Sequence, residues 1–121
     1  MAVLAANNLP DRVADVEALE ELLSRPSRAL IDDLAALKGD IIILGVGGKV
    51  GPCLARMAKR AAPEKRVVGV ARFTDTAVRQ RLEDWGVETI ACDLLDRDGV
   101  NALPQLPNVI YMAGKKFGTS G

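Results

Sequence analysis

Four glycines, Gly45, Gly47, Gly48 and Gly51, crowd the stretch IIILGVGGKVGPCLARMAKRA at residues 41–61, between an all-apolar run and an amphipathic one. A glycine turn leading from a strand into a helix brings main-chain N–H groups close to an anion, and the helix dipole adds a favourable field. Three phosphate-binding spacings can be compared with it. The triphosphate loop Gly-x-x-x-x-Gly-Lys-Ser/Thr fails, because Ile43 stands at the first glycine and Val50 follows Lys49. Gly-x-Gly-x-x-Gly starts at Gly45 and Gly47 and then meets Val50. Gly-x-x-Gly-x-x-Gly fits Gly45, Gly48 and Gly51, with Gly47 as an extra flexible residue. The chemistry expected is a seat for a pyrophosphate on the N–H groups of Lys49 and Val50. The Lys49 ammonium either reaches a phosphate or stands solvated in the first helical turn. A purely structural tight turn is the competing reading.

Other reactive groups are few. The chain has no histidine, which removes histidine-dependent triads, imidazole metal sites and imidazole acid-base work from its residues. Cys53 and Cys92 lack metal-ligand spacing and lie in apolar segments, so they read as small hydrophobes in a reducing, cytoplasmic setting, and no metal site is expected. Sixteen basic residues balance sixteen acidic ones. No global field then draws in nucleic acid or an anionic membrane, and anion binding must be local. No apolar run approaches the length of a bilayer span, and the N-terminus lacks a signal-peptide pattern.

These residues need a scaffold, and the apolar spacing supplies one. At 121 residues the chain has room for a single core. Residues 1–38 form an N-terminal helical extension. Val13, Val16, Leu19, Leu22 and Leu23 mark one helix over residues 12–23, and Leu30, Ile31, Leu34 and Leu37 mark a second. From residue 39 strand and helix alternate. Strands are expected at residues 41–44, 66–71, 87–92 and 109–113. The helices between them cover residues 50–61, with Val50, Cys53, Leu54, Met57, Ala58 and Ala61 inward, residues 76–85, with Val78, Leu82 and Trp85 inward, and residues 96–103, capped by Asp96. Short connections imply parallel strands and right-handed crossovers, hence an α/β, doubly wound sheet in the order 3-2-1-4.

In this order the chain resembles the NAD-dependent epimerase/dehydratase family of extended short-chain dehydrogenases/reductases over residues 40–121. The resemblance rests on the Gly45, Gly48, Gly51 triplet, on Arg72 after the second strand, on CDLLD after the third and on YMAG ending the fourth. It implies a Rossmann-type domain over residues 39–121 that binds NADP or NAD. Arg72 stands where that family contacts the adenosine ribose, and an arginine there suits a 2′-phosphate, which favours NADP. The alternative is an exposed arginine at a strand end. Asp93 matches the adenine-contacting aspartate, with Leu94 beside it, and Ala113 and Gly114 match the small residues that let the ribose approach. A helix cap and an ordinary strand-ending turn are the bland counterparts of these two matches.

The departures are as informative. The family's proton transfer uses a Tyr-x-x-x-Lys pair on a later helix. Tyr111 and Lys115 have that interval, but Tyr111 belongs to the fourth strand and Gly114 interrupts, so the two do not share a helical face. No catalytic residue is assigned. The resemblance implies the leading, cofactor-binding part of a longer epimerase, dehydratase or reductase, inactive alone, whose small-molecule substrate is handled elsewhere. A non-enzymatic NAD(P)-sensing or interaction module is the alternative, and a different dinucleotide-binding dehydrogenase class is argued against by CDLLD and YMAG. The fourth strand, without a fifth beside it, is also expected to leave an exposed sheet edge through which copies self-associate.

Overall fold

The computed structural model describes residues 3–113. A single 3-10 turn at Ala6–Asn8 precedes two helices, α1 (Val16–Leu23) and α2 (Arg28–Ala36). Each starts on a capping side chain that satisfies a free N–H of the first turn: Asp15 accepts from Ala18 at 2.7 Å, and Ser27 accepts from Leu30 at 3.1 Å. The alternating part then runs β1 (Ile41–Leu44), α3 (Gly51–Ala61), β2 (Val67–Ala71), α4 (Thr76–Asp84), β3 (Glu88–Ala91), α5 (Arg97–Asn101) and β4 (Asn108–Tyr111).

All strand pairs are parallel, and the order is β3-β2-β1-β4, as the spacing predicts. Ile41, Ile42, Ile43 and Leu44 lie opposite Val67, Val68, Gly69 and Val70 on one side and Asn108 to Tyr111 on the other. Alternate residues of β1 therefore feed two cores. Ile41 and Ile43 join Val46, Ala55, Ala58, Val67, Leu82 and Val87, with Leu34, Val78, Trp85 and Ile110 packed around them. Ile42 joins Val68 and Val70 under Leu44, Ile90, Leu94, Leu103 and Leu106. The first core lies beneath α2, α3 and α4, and the second beneath α5 and the loop that follows it. Both crossovers running from β1 towards β3 use one face; the return from β3 to β4 reverses direction across the sheet and so, being right-handed, uses the other.

Two expectations about α3 and α5 are corrected. Helix α3 starts at Gly51, one residue later than expected, and Val50 is 65% exposed at its N-cap instead of facing inward. The buried residues of α3 are Gly51, Ala55, Ala58 and Ala61, the last two as expected. Small residues let the helix axis approach the sheet, so the face with the least bulk points inward while Cys53, Leu54 and Met57 sit at its margin, half-buried. Asp96 occupies the N-cap of α5 but its side chain makes no capping hydrogen bond. The inward residues expected for α4 are found inward: Leu82 is fully buried, and Val78 and Trp85 pack on the core.

The N-terminal helices are held to this layer by charge and by packing. The Arg60 guanidinium on α3 donates to the Glu21 carboxylate at 2.8 Å, to the Glu21 carbonyl at 2.9 Å and to the Ser24 hydroxyl at 2.8 Å. Arg25 grips the same carboxylate from one turn away. Hydrogen bonds from Arg25, then from Arg60, hold the Glu21 carboxyl down at about 2, well below its ordinary value. On α4, Arg81 pairs with Glu20 and also stacks on Trp85, whose ring carries Arg56 as well, at 4.6 Å from the centroid.

Candidate functional site

At the C-terminal end of β1 the chain turns sharply. The carbonyl of Val70 accepts both the Gly45 N–H at 2.8 Å and the Val46 N–H at 3.0 Å, which folds residues 45 and 46 back over β2 and buries Val46 completely. Gly45 has φ +89°, a region open to glycine, and a Cβ there would stand 2.5 Å from the Ala113 nitrogen. Gly51 has a different reason to be glycine: its Cβ would stand 2.2 Å from the Val46 carbonyl oxygen, so a side chain would push α3 off the sheet. Around Gly48 a Cβ would meet nothing within 4 Å. The outer glycines are thus required by the protein's own packing, whereas the middle one borders open space.

That space has the donors an anion needs. The N–H groups of Lys49, Val50, Gly51 and Cys53 bond to no backbone carbonyl among the described residues, and the first helical bond of α3 is Leu54 N–H to the Val50 carbonyl. Pro52 at the second helical position removes one donor from the set expected of a helix start. No acidic residue lies in the first turn of α3 to compete with an anion, and Lys49 is exposed beside it. The free N–H groups thus run from Lys49 and Val50 through Gly51 and Cys53 in the first turn of α3.

The sheet brings the other expected positions to the same end. A Cβ on Gly47 would touch Ala71 Cβ at 3.3 Å, so the glycine turn abuts the end of β2, where Arg72 follows, exposed and in no ion pair with another described residue. Ala71 in turn accepts the Cys92 N–H at 2.9 Å, which sets Asp93 and Leu94 beside it. Asp93 uses one carboxylate oxygen to accept the Leu95 N–H at 2.9 Å, forming a local turn, so this aspartate does the turn-making that Asp96 does not. Leu94 turns away from the mouth into the second core. Ala113 closes the far side against Gly45. Gly114 and Lys115 lie outside the described residues; Tyr111 is 70% exposed on β4.

One feature of this rim has no signal in the sequence. Phe73 adopts φ +53°, the one non-glycine residue with positive φ among those described, immediately after Arg72. Among the described residues no group of histidine, cysteine or acidic side chains could hold a metal ion, and no helix is long and apolar enough to cross a membrane. Comparison of the chain with protein-family models, with curated proteins and with solved structures found no match.

Proposed function

We propose that this chain binds NADP or NAD across the C-terminal ends of β1, β2 and β3, as the Rossmann-type cofactor-binding part of an epimerase, dehydratase or reductase acting on a small-molecule substrate in the cytoplasm. The observation that supports the reading most is the division of labour among the three glycines: Gly45 and Gly51 are closed by packing, and Gly48 is left bare beside unbonded N–H groups. A turn that served the fold alone would have no use for a glycine at position 48, where a side chain would have room. The pyrophosphate belongs on the amides of Lys49, Val50, Gly51 and Cys53. Arg72 would take a ribose 2′-phosphate, the free Asp93 oxygen the adenine amino group, and Ala113 would keep the path clear for the ribose. The cofactor, when bound, supplies hydride transfer; acid-base work falls to residues that this reading does not assign in the described chain.

Gly48→Val tests the seat. Because a Cβ there meets open space, the folding free energy should change by no more than about 0.5 kcal/mol. Calorimetric titration of the parent with NADP should show saturable binding, and the variant should show none. Undiminished binding by the variant would place the pyrophosphate elsewhere.

A further inference from the structure

We propose that Phe73 is a positioning residue that holds Arg72 for the 2′-phosphate and thereby sets NADP above NAD; the inference rests on the dinucleotide reading above. A bulky residue in the left-handed region is a backbone outlier that persists only where its surroundings over-determine it, and such outliers gather at ligand clamps. Here the surroundings are visible. The Phe73 ring packs against the core beneath α3 and α4. Its outer face lies 5.5 Å from the Arg79 guanidinium carbon, and Arg79 is itself tethered by an Nε hydrogen bond of 2.9 Å to the Thr89 hydroxyl on β3. Thr89 completes the chain by donating to Glu83 at 3.1 Å. Two residues beyond Phe73, Asp75 caps α4 by accepting the Ala77 N–H at 2.9 Å.

The short segment between Ala71 and Asp75 is thus nailed at both ends and in its middle, while Arg72 within it is exposed and forms no ion pair with a described residue. Its guanidinium takes its position from the backbone that Phe73 bends. An arginine on a mobile turn would lose chain entropy on gripping a phosphate, whereas one on a pinned turn loses only its own rotamers. Asparagine or glycine would adopt the same φ with less strain. A phenylalanine there is explained by the ring, which ties the turn to the core. The ligand feature discriminated is a phosphate monoester against a hydroxyl on the same ribose.

The test compares NADP and NAD dissociation constants for the full chain as parent, Arg72→Ala, Phe73→Gly and Phe73→Tyr, with Trp85 fluorescence melts as the check of folding. The parent should prefer NADP, and Arg72→Ala should bring the ratio to about one. Phe73→Gly should cut the preference by about fivefold with NAD affinity unchanged, because only the pre-organised phosphate contact is lost. Phe73→Tyr, which keeps the ring, should restore it. Should the glycine variant unfold, Phe73→Leu, which fills the core but leaves Arg79 without a ring, is held to the same criterion. A preference that survives in Phe73→Gly or Phe73→Leu overturns the role of Phe73 and leaves the dinucleotide reading standing. A parent that binds both cofactors equally overturns Arg72 as the selector and this inference with it. A parent that binds neither overturns the reading on which both rest.

Discussion

Ile41 and Ile43 point to one face of β1, and Ile42 and Leu44 to the other; the first pair lies under three helices, the second under α5, five residues long, and the loop after it. The difference shows at the margin. On the covered face Leu82, Val46 and Ala55 are sealed from solvent. On the other, Ile42, Leu44, Val100, Leu103, Leu106 and Val109 line an open groove of about 320 Å³, and Val109 remains 57% exposed. The apolar spacing along β1 is the same towards both faces, so spacing does not decide which is closed. Chain direction does: each crossover lands on the side its hand dictates, and two full helices fall on one side against a single short one on the other. The N-terminal helices then add to the face that is already covered.

If that contrast governs stability, truncation should cost most beneath α4. Leu82→Ala should lower the unfolding free energy by about 3 kcal/mol, because a sealed leucine leaves a cavity, whereas Leu103→Ala on the half-covered face should cost about 1 kcal/mol. Urea unfolding followed by Trp85 fluorescence measures both, and equal losses would break the comparison. A smaller, pH-dependent effect should come from the clamp that holds the N-terminal helices to the covered face. The Glu21 carboxyl, held at about 2 by Arg25 and Arg60, is depressed from its ordinary 4.5, so its contribution is complete above 4.5 and fades as pH falls towards 2. Melting temperatures of the parent and Glu21→Gln should therefore differ at neutral pH and converge in acid; a constant difference would deny the carboxylate this role.

The smallest effect on stability is expected at the outer side of β4. Its side chains are uncharged, whereas the opposite edge, β3, carries Glu88, paired with Arg66 at 2.8 Å. Charged edges resist pairing with another chain and uncharged ones invite it. Replacing Tyr111, which is 70% exposed and outside the groove, by Lys should leave folding within about 0.5 kcal/mol of the parent. It should also abolish the concentration-dependent self-association that sedimentation of the parent is expected to show. A parent that stays monomeric at every concentration removes the second half of that statement.

Much of the architecture was legible from local spacing. The four strands, their order and the two leading helices follow from apolar runs punctuated by glycine and proline, and β1 has the expected bounds. For the inward face of α3, spacing picks out Ala58 and Ala61 correctly but misses Gly51 and Ala55, because periodicity weights large side chains whereas a helix tight against a sheet selects small ones. Asp96 stands at the expected N-cap without a side-chain hydrogen bond, while Asp93 makes a local turn: either could serve, and the path of the chain between β3 and α5 chose. At the rim, Gly45 abuts Ala113 and Gly47 abuts Ala71, but Phe73 gave no warning, since nothing about a phenylalanine announces a left-handed backbone.

Hydrogen-bonding period, capping residues and glycine positions act within a few residues, so the order of elements and the place of the glycine turn were already written in the linear chain. The Arg60 grip on Glu21, across 39 positions, and the unequal cover of the sheet's two faces arise between segments that meet only once the chain has folded. The same holds for the bend at Phe73, where a ring held by the core and by Arg79 outweighs the backbone's own preference.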